Sequence, residues 1–412
     1  MASELARLYR THAITRAADD AYSASLAAAL ATERRLNGTR ATELDAVTEN
    51  LHQIAAAGAL TPSRLPVLFQ TLDRNRQWWT TGPLLSPGQR VEFSGSPLVW
   101  EYYAGQGIEL QVLGTFGKAD ALYSAGPVEY PQLESLLAQM VPLAASRGGG
   151  LTWEYYFNFD GGLPPWTSAM SQATGLEALT RAYLATGSRY YLSLAHTALP
   201  IFSTPPPVGV NVKTALGIRY LQYSFAPGTA IINAFLQSLI GLYDYAHVSG
   251  DPQAAALFAA GDAEARAEVP RYDTGAWSLY QPGVEDSLSY HTLVTGFLAQ
   301  LCQRTAAPVY CTTADHFQAY LTTPPALSLL TASARVDRPA TIRFRLSKYS
   351  HVGIVVVRGM RTTFLTSGEF AYGVHSFLIP PLNGPGQYTL RLAATDLAGN
   401  FTRIAGTLTV SR

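Results

Sequence analysis

The chain has 412 residues, 48% apolar and 14% charged, with 29 Lys and Arg against 29 Asp and Glu and a formal charge of zero. That is enough apolar chain for a large core and two domains, and it marks a folded globular protein. Both signs are scattered without a long basic or acidic run, so no footprint for nucleic acid or an anionic membrane is visible, and neither is expected as a partner.

The N-terminus, MASELARLYRTHAITRAADDAY, lacks the apolar stretch of a signal peptide, and no run of about 18 apolar residues suggests a membrane helix. The expectation is a cytosolic protein, or an extracytoplasmic one if a leader has been removed. Residues 14–35 and 39–60 carry apolar positions at three- and four-residue spacing and predict amphipathic helices, the second with Thr42 and Asp45 as a capping signal. Further helical patterns follow at 65–77, 101–124, 130–146, 168–186, 189–200, 228–248, 252–268 and 287–303. Paired helices with polar links predict an α/α solenoid or an incomplete α/α barrel over residues 1–321, the barrel being the expected form. The pattern changes at Thr322-Thr-Pro-Pro-Ala. From 327 to 412, period-two alternation in ATIRFRLS and GQYTLRLAATD, with Gly-Pro and Ala-Gly-Asn turns, predicts a small all-β sandwich. Its TDLAGNFT stretch resembles bacterial immunoglobulin-like modules.

Only Lys118, Lys213 and Lys348 are lysines, so an anionic ligand would meet mainly arginine, whose planar fork suits a carboxylate or sulfate. The eight histidines are dispersed, with no HExxH or CxxC spacing, so neither a metal nor another cofactor is expected. Cys302 and Cys311, the only cysteines, lie close enough in sequence to close a small loop if the backbone allows it.

Three aromatic-rich stretches stand out: WEYYFNFDGGLPPWTSAM (153–170), QYSFAPGTAIINAFLQSLIGLYDY (222–245) and PRYDTGAWSLYQPGVEDSLSYH (270–291). Gly- and Pro-rich connections at one end of a helical barrel are where a concave site is assembled. Tryptophan and tyrosine pack on sugar rings, while Arg, Asn and Asp satisfy hydroxyls and carboxylates. Trp166, Glu154, Asp160, Arg219, Asn233, Arg271 and Asp273 are the substrate-binding candidates. A tyrosine on a helix is ordinarily a core residue with its hydroxyl at the rim, and Asn233, if buried, must find partners.

The blocks 164–187, 223–245, 270–280 and 289–291 resemble, in order and spacing, the C-terminal helical domain of the D-glucuronyl C5-epimerases, which act on heparosan and heparan sulfate precursors. The resemblance implies removal of the C5 proton beside a uronate carboxylate and its return to the opposite face, with a uronate-containing, heparosan-like polysaccharide as partner and a homodimer as the assembly. It also implies catalytic roles for Tyr223, Tyr280 and Tyr290. The glutamate that precedes the first tyrosine in the family is Gln222 here, which hydrogen-bonds but does not titrate. Ser289 and Gln281-Pro282-Gly283 also depart from the animal enzymes. If Gln222 replaces the base, Glu285, Asp286 or His291 must act or assist, or Tyr280 with a lowered pKa. Glu285 and Asp286 alternatively occupy the first turn of the helix that follows, where negative charge is favourable. Arg219 and Arg271 are the expected carboxylate clamps. Two other outcomes of the same residues are a lyase, where β-elimination follows the same proton abstraction, and a glycan-binding protein without catalysis. A hydrolase built on Glu154 and Asp160 ranks below these.

Overall fold

The computed structural model describes every residue except Ala332, and the chain divides into two compact units. One comprises Met1–Thr229 with Gln237–Glu264, the other Ala230–Leu236 with Ala265–Arg412.

The first unit is mainly helical. Among its long helices, Arg16–Glu33, Thr39–Ala56 and Leu65–Thr81 pack on one another, and Val112–Ser124 packs on Ala169–Thr186. Thr15 caps the first of these by accepting a hydrogen bond from Ala18 N. The expected cap at Thr42 is corrected: the helix begins at Thr39 behind Gly38, and the Thr42 hydroxyl lies one turn inside, bonded to the Gly38 carbonyl. Ala169–Thr186 is buried on every side through its first three turns, so it has no solvent-facing stripe. Helix Ile232–Ser249 crosses it where Gly241 allows the backbones to meet: a Cβ there would lie 2.1 Å from the Ala173 carbonyl oxygen.

Residues 101–124 differ from the single helix expected. Strands Trp100–Tyr103 and Gly107–Leu110 form a hairpin, and the helix starts only at Val112. Buried acceptors fix the hairpin. The Glu43 carboxylate takes hydrogen bonds from Tyr102 OH at 2.7 Å and from Gly105 and Gly107 N at 3.0 Å, and Asn75 Oδ1 accepts from Ile108 N at 2.8 Å. Helix periodicity in this stretch comes from residues such as Ile108 and Leu110 that pack inward from strands instead.

The second unit contains helices Leu288–Thr305 and Pro308–Tyr320, the latter not anticipated from the sequence, followed by strands. A disulfide joins Cys302 to Cys311 across these helices, with the Cα atoms 4.9 Å apart. Beyond them lie a three-stranded sheet, ordered Leu327–Leu329, Ala340–Leu346, Gly373–Ile379, and a five-stranded sheet. The five-stranded order is Ser333–Arg335, Phe401–Ser411, Gly386–Asp396, Ser350–Arg358, Arg361–Phe370. Period-two alternation is realised residue by residue in Ala340–Leu346. The buried faces of both sheets supply one apolar cluster that includes Ile342, Phe344, Ile354, Leu390 and Leu408. Each fully buried aliphatic side chain there contributes about 1.5–3 kcal/mol relative to exposure.

Lys348 explains how the strands attach to the helices before them. Its ammonium is buried, pairs with Asp396 at 2.7 Å and donates to the Tyr320 and Thr323 carbonyls. Asp396 in turn closes the Ala-Gly-Asn turn by accepting from Ala398 N and Asn400 N, and Asn400 Nδ2 reaches the Leu321 carbonyl.

Candidate functional site

In the first unit the loop after Trp153 doubles back on itself, with Tyr155 bridged to Trp166 and Phe159 to Gly162. The reversal uses Asp160 and Gly161, both at positive φ, and leaves Asp160 exposed at the tip. Trp166 is buried with its indole N–H on the Phe157 carbonyl, stacked on Tyr155 at 4.3 Å and meeting Tyr223 and Phe225 edge-on at 5.7 and 5.5 Å. Tyr223 and Phe225 stack at 5.3 Å, and Phe159 lies 5.6 Å from Tyr223. Glycine is required at 162, where a Cβ would fall 2.4 Å from the Phe225 ring.

The strand-like segment carrying Tyr223 is pinned beside Trp166 by backbone geometry. Ser224 N donates to the Thr167 carbonyl, Thr167 N donates to Ser224 Oγ, and Ala169 N donates to the Leu221 carbonyl. Tyr223 is half-buried, so its ring is held while its edge remains accessible. Beside it, Gln222 Oε1 is buried and has no hydrogen-bond partner among the described residues. Arg219, on the preceding strand, lies 3.8 Å from Glu264.

Glu154 is fully committed. Arg64 grips it with two hydrogen bonds of 2.7 and 2.8 Å, Arg147 adds a third at 2.7 Å, and Tyr156 OH donates at 2.8 Å. Burial opposes its charge, but the Arg64 and Arg147 guanidiniums outweigh that and hold its carboxyl below the usual range. It ties together the helix after Arg64 and the 145–152 hairpin, and has no acceptor site left for a sugar.

In the second unit Tyr280 and Tyr290 pair at 5.1 Å, Tyr280 half-buried and Tyr290 exposed. Tyr280 sits in strand Leu279–Gln281, and Tyr290 in the first turn of Leu288–Thr305, which Ser287 caps. Behind them lies a buried chain of side chains. Ser278 Oγ stands 2.5 Å from Asp286 Oδ2 and 2.7 Å from His291 Nδ1, His291 Nε2 faces the Phe317 carbonyl at 2.9 Å, and the imidazole stacks on Trp277 at 3.7 Å. Burial pushes the Asp286 carboxyl up to about 6, although Ser278 opposes the rise. Burial and, more weakly, Lys348 bring His291 down to about 4, against the Phe317 carbonyl and Asp273.

Glu285 and Asp286 precede the helix rather than opening it; its first turn holds no acid. Glu285 lies in a hairpin strand, and its two oxygens accept Tyr349 N at 2.9 Å and Tyr372 N at 2.8 Å. Asp273 is likewise engaged, with His316, Tyr320 OH and Gly275 N. Arg271 is exposed, and Asn233 is buried with Oδ1 unpartnered among the described residues. Of the acids and imidazole proposed as substitute bases, each therefore already has a structural partner.

Sequence reasoning missed Phe159, Phe225 and Tyr103. Tyr103 stacks on Phe157 at 4.5 Å, and its hydroxyl takes a hydrogen bond from Gln111 Nε2. Burial, then neighbouring Glu101, pushes the Tyr103 hydroxyl strongly up. Phe159 and Phe225 were legible as members of the aromatic stretches; Tyr103 lay in the segment read as helix. Among the described residues there is no cluster able to hold a metal ion and no helix long and apolar enough to cross a membrane.

Residues 148–319 match the family D-glucuronyl C5-epimerase C-terminus, so the chain contains a C5-epimerase-like segment. A D-glucuronyl C5-epimerase of Caenorhabditis elegans is 35% identical over 132 residues, 29% of this chain and 21% of that protein. An uncharacterized protein of Methanocaldococcus jannaschii is 28% identical over 137 residues, 32% of this chain and 44% of that one. The chain thus spans less than half the length of either relative. The solved cellobiose 2-epimerase from Spirochaeta thermophila aligns over 68% of this chain and 73% of its own at 13% identity, with a TM-score of 0.40.

Proposed function

We propose that this protein is a carbohydrate epimerase that inverts C5 of D-glucuronate residues in a heparosan-like polysaccharide to give L-iduronate. The observation that supports this most is that Tyr223, Tyr280 and Tyr290 all fall inside the matched segment, and that both ring systems holding them are built around tyrosine. On this reading the helical part is an incomplete α/α barrel and the strands from 327 are an immunoglobulin-like sandwich.

The reaction needs one group to take the C5 proton, another to return one to the opposite face, and donors for the enolate oxygen. The three tyrosine hydroxyls handle the protons. A tyrosine ionises at about 10 in water, so the one acting as base needs a neighbour to accept its proton or a lowered pKa. Two amide oxygens, Gln222 Oε1 and Asn233 Oδ1, are buried without partners among the described residues, and each is suited to accept a sugar hydroxyl. Asp160, Arg219 and Arg271 remain the candidates for polar and carboxylate contacts; Glu154 and Asp273 are proposed to support the surrounding loops.

The test is incubation with heparosan in deuterated water. Deuterium at C5 with iduronate signals supports the epimerase; unsaturated uronate ends would make the protein a lyase, and no exchange would leave a binding protein with Gln222 where a base is needed.

A further inference from the structure

The chain is neutral, yet residues 327–412 hold ten Lys and Arg against three Asp and Glu, a surplus of seven positive charges balanced by an equal deficit in residues 1–326. No run betrays this, because the arginines stand singly or, like Arg343 and Arg345, at alternate positions that a strand turns to the outside. Two of the three acids already have partners, Asp396 in the buried Lys348 ammonium and Glu369 in a contact with His351 Nδ1 at 2.8 Å.

On the outer face of the five-stranded sheet the surplus meets a shape. Gly353 pairs with Ala393, Ala393 with Arg403, and Arg391 with Ala405, so small residues floor a trough of about 460 Å³. Arg391 and Arg403, diagonal neighbours on adjacent strands, stand over that floor, and Arg403 lies 5.3 Å above the half-exposed ring of Phe401. Neither arginine has an ion-pair partner among the described residues. Guanidinium forks bind carboxylates in two-point fashion, and a flat aromatic beside them packs on a sugar ring.

We propose that this sheet face is a second, non-catalytic binding site for an acidic polysaccharide, in which Arg391 and Arg403 engage uronate carboxylates and Phe401 supports a sugar ring. The inference rests on the uronate-polymer reading above and extends it to how the chain holds its polymer. Neutral glycans lack the carboxylates this face selects. Nucleic acid is the competing polyanion.

The test measures binding of the full chain to heparosan, dextran and duplex DNA at several salt concentrations, together with C5 exchange on a short heparosan oligosaccharide. Arg391→Ala with Arg403→Ala should weaken heparosan binding by about tenfold or more without changing Tm, since charge-assisted pairs are lost. Arg343→Ala with Arg345→Ala, on the three-stranded sheet, should change it by less than about threefold, because diffuse surface charge is screened. Equal loss in both variants, no loss in either, binding to dextran as tight as to heparosan, or equally tight DNA binding lost in the same variant would each overturn the proposal. The two claims separate cleanly. Heparosan binding through the trough without any C5 exchange would sink the catalytic reading alone, whereas exchange with trough variants that bind normally would sink the trough alone.

Discussion

Ser278 and His291 are joined side chain to side chain at 2.7 Å inside a fully buried chain that continues to Asp286. Because His291 Nε2 faces a carbonyl, that nitrogen carries the ring proton and Nδ1 is the acceptor. The single Ser278 proton cannot serve both neighbours. When Asp286 is protonated it donates to Ser278, which donates to His291; when Asp286 is ionised, serine turns to it and Nδ1 keeps only the Ser278 N–H at 3.3 Å. The chain links the residue two before Tyr280 to the residue after Tyr290, so it positions the tyrosine pair.

The two titrations oppose each other. Asp286, raised to about 6, contributes stability that is fully present below its unfolded pKa and lost as pH rises through 6. His291, lowered to about 4, contributes stability present above 6.5 and lost as pH falls through 4. Between pH 4 and 6 they offset, each changing stability in the opposite direction by about 1.4 kcal/mol for every pH unit crossed. Asp286→Asn removes one side, so its melting temperature should fall more steeply than wild type on acidification from 6.5 toward 4. Parallel curves would show that Asp286 does not titrate in this window. Ser278→Ala should cost about 1–3 kcal/mol by leaving buried groups unpaired.

Glu154→Gln leaves Arg64 and Arg147 facing a neutral amide in a buried pocket. Breaking such a pair by removing one partner costs about 3–5 kcal/mol. Chemical denaturation should show that loss, and a variant as stable as wild type would mean the cluster is solvated.

Tyr223→Phe, Tyr280→Phe and Tyr290→Phe keep the rings that pack and remove only the hydroxyls. Each should fold with near-native stability, and at least two should lower turnover by about 100-fold or more, the usual weight of a proton-transfer group. Three fully active variants would remove tyrosine from the mechanism.

Gln222→Glu places a carboxyl where the amide oxygen is buried and has no partner among the described residues. Desolvation would raise its pKa toward neutrality, as a base needs. Faster turnover, rising with pH across that range, is the expected outcome; slower turnover at every pH would show that the amide itself is needed.

The helical periodicities at 14–35 and 39–60 and the strand alternation after 327 were legible because burial in those elements is one-sided, whereas Ala169–Thr186, buried all round, offers no such stripe. The 100–110 hairpin was not, because its position is set by Glu43 and Asn75, which lie far away in sequence and offer acceptors to strand backbone. The aromatic stretches marked the Trp166–Tyr223 cluster, yet pattern alone does not reveal that Glu154 meets Arg64, 90 residues earlier. Nor does a search for charge runs detect Arg391 and Arg403, single arginines on neighbouring strands that come together only when the sheet forms.

The central claim is tested most directly by following C5 of heparosan by NMR in deuterated water with the intact protein. An epimerase of this kind gives deuterium at C5 and iduronate signals, both of which vanish in Tyr223→Phe. A polymer whose C5 protons stay unexchanged, under conditions where the protein is folded and binds it, would contradict that claim.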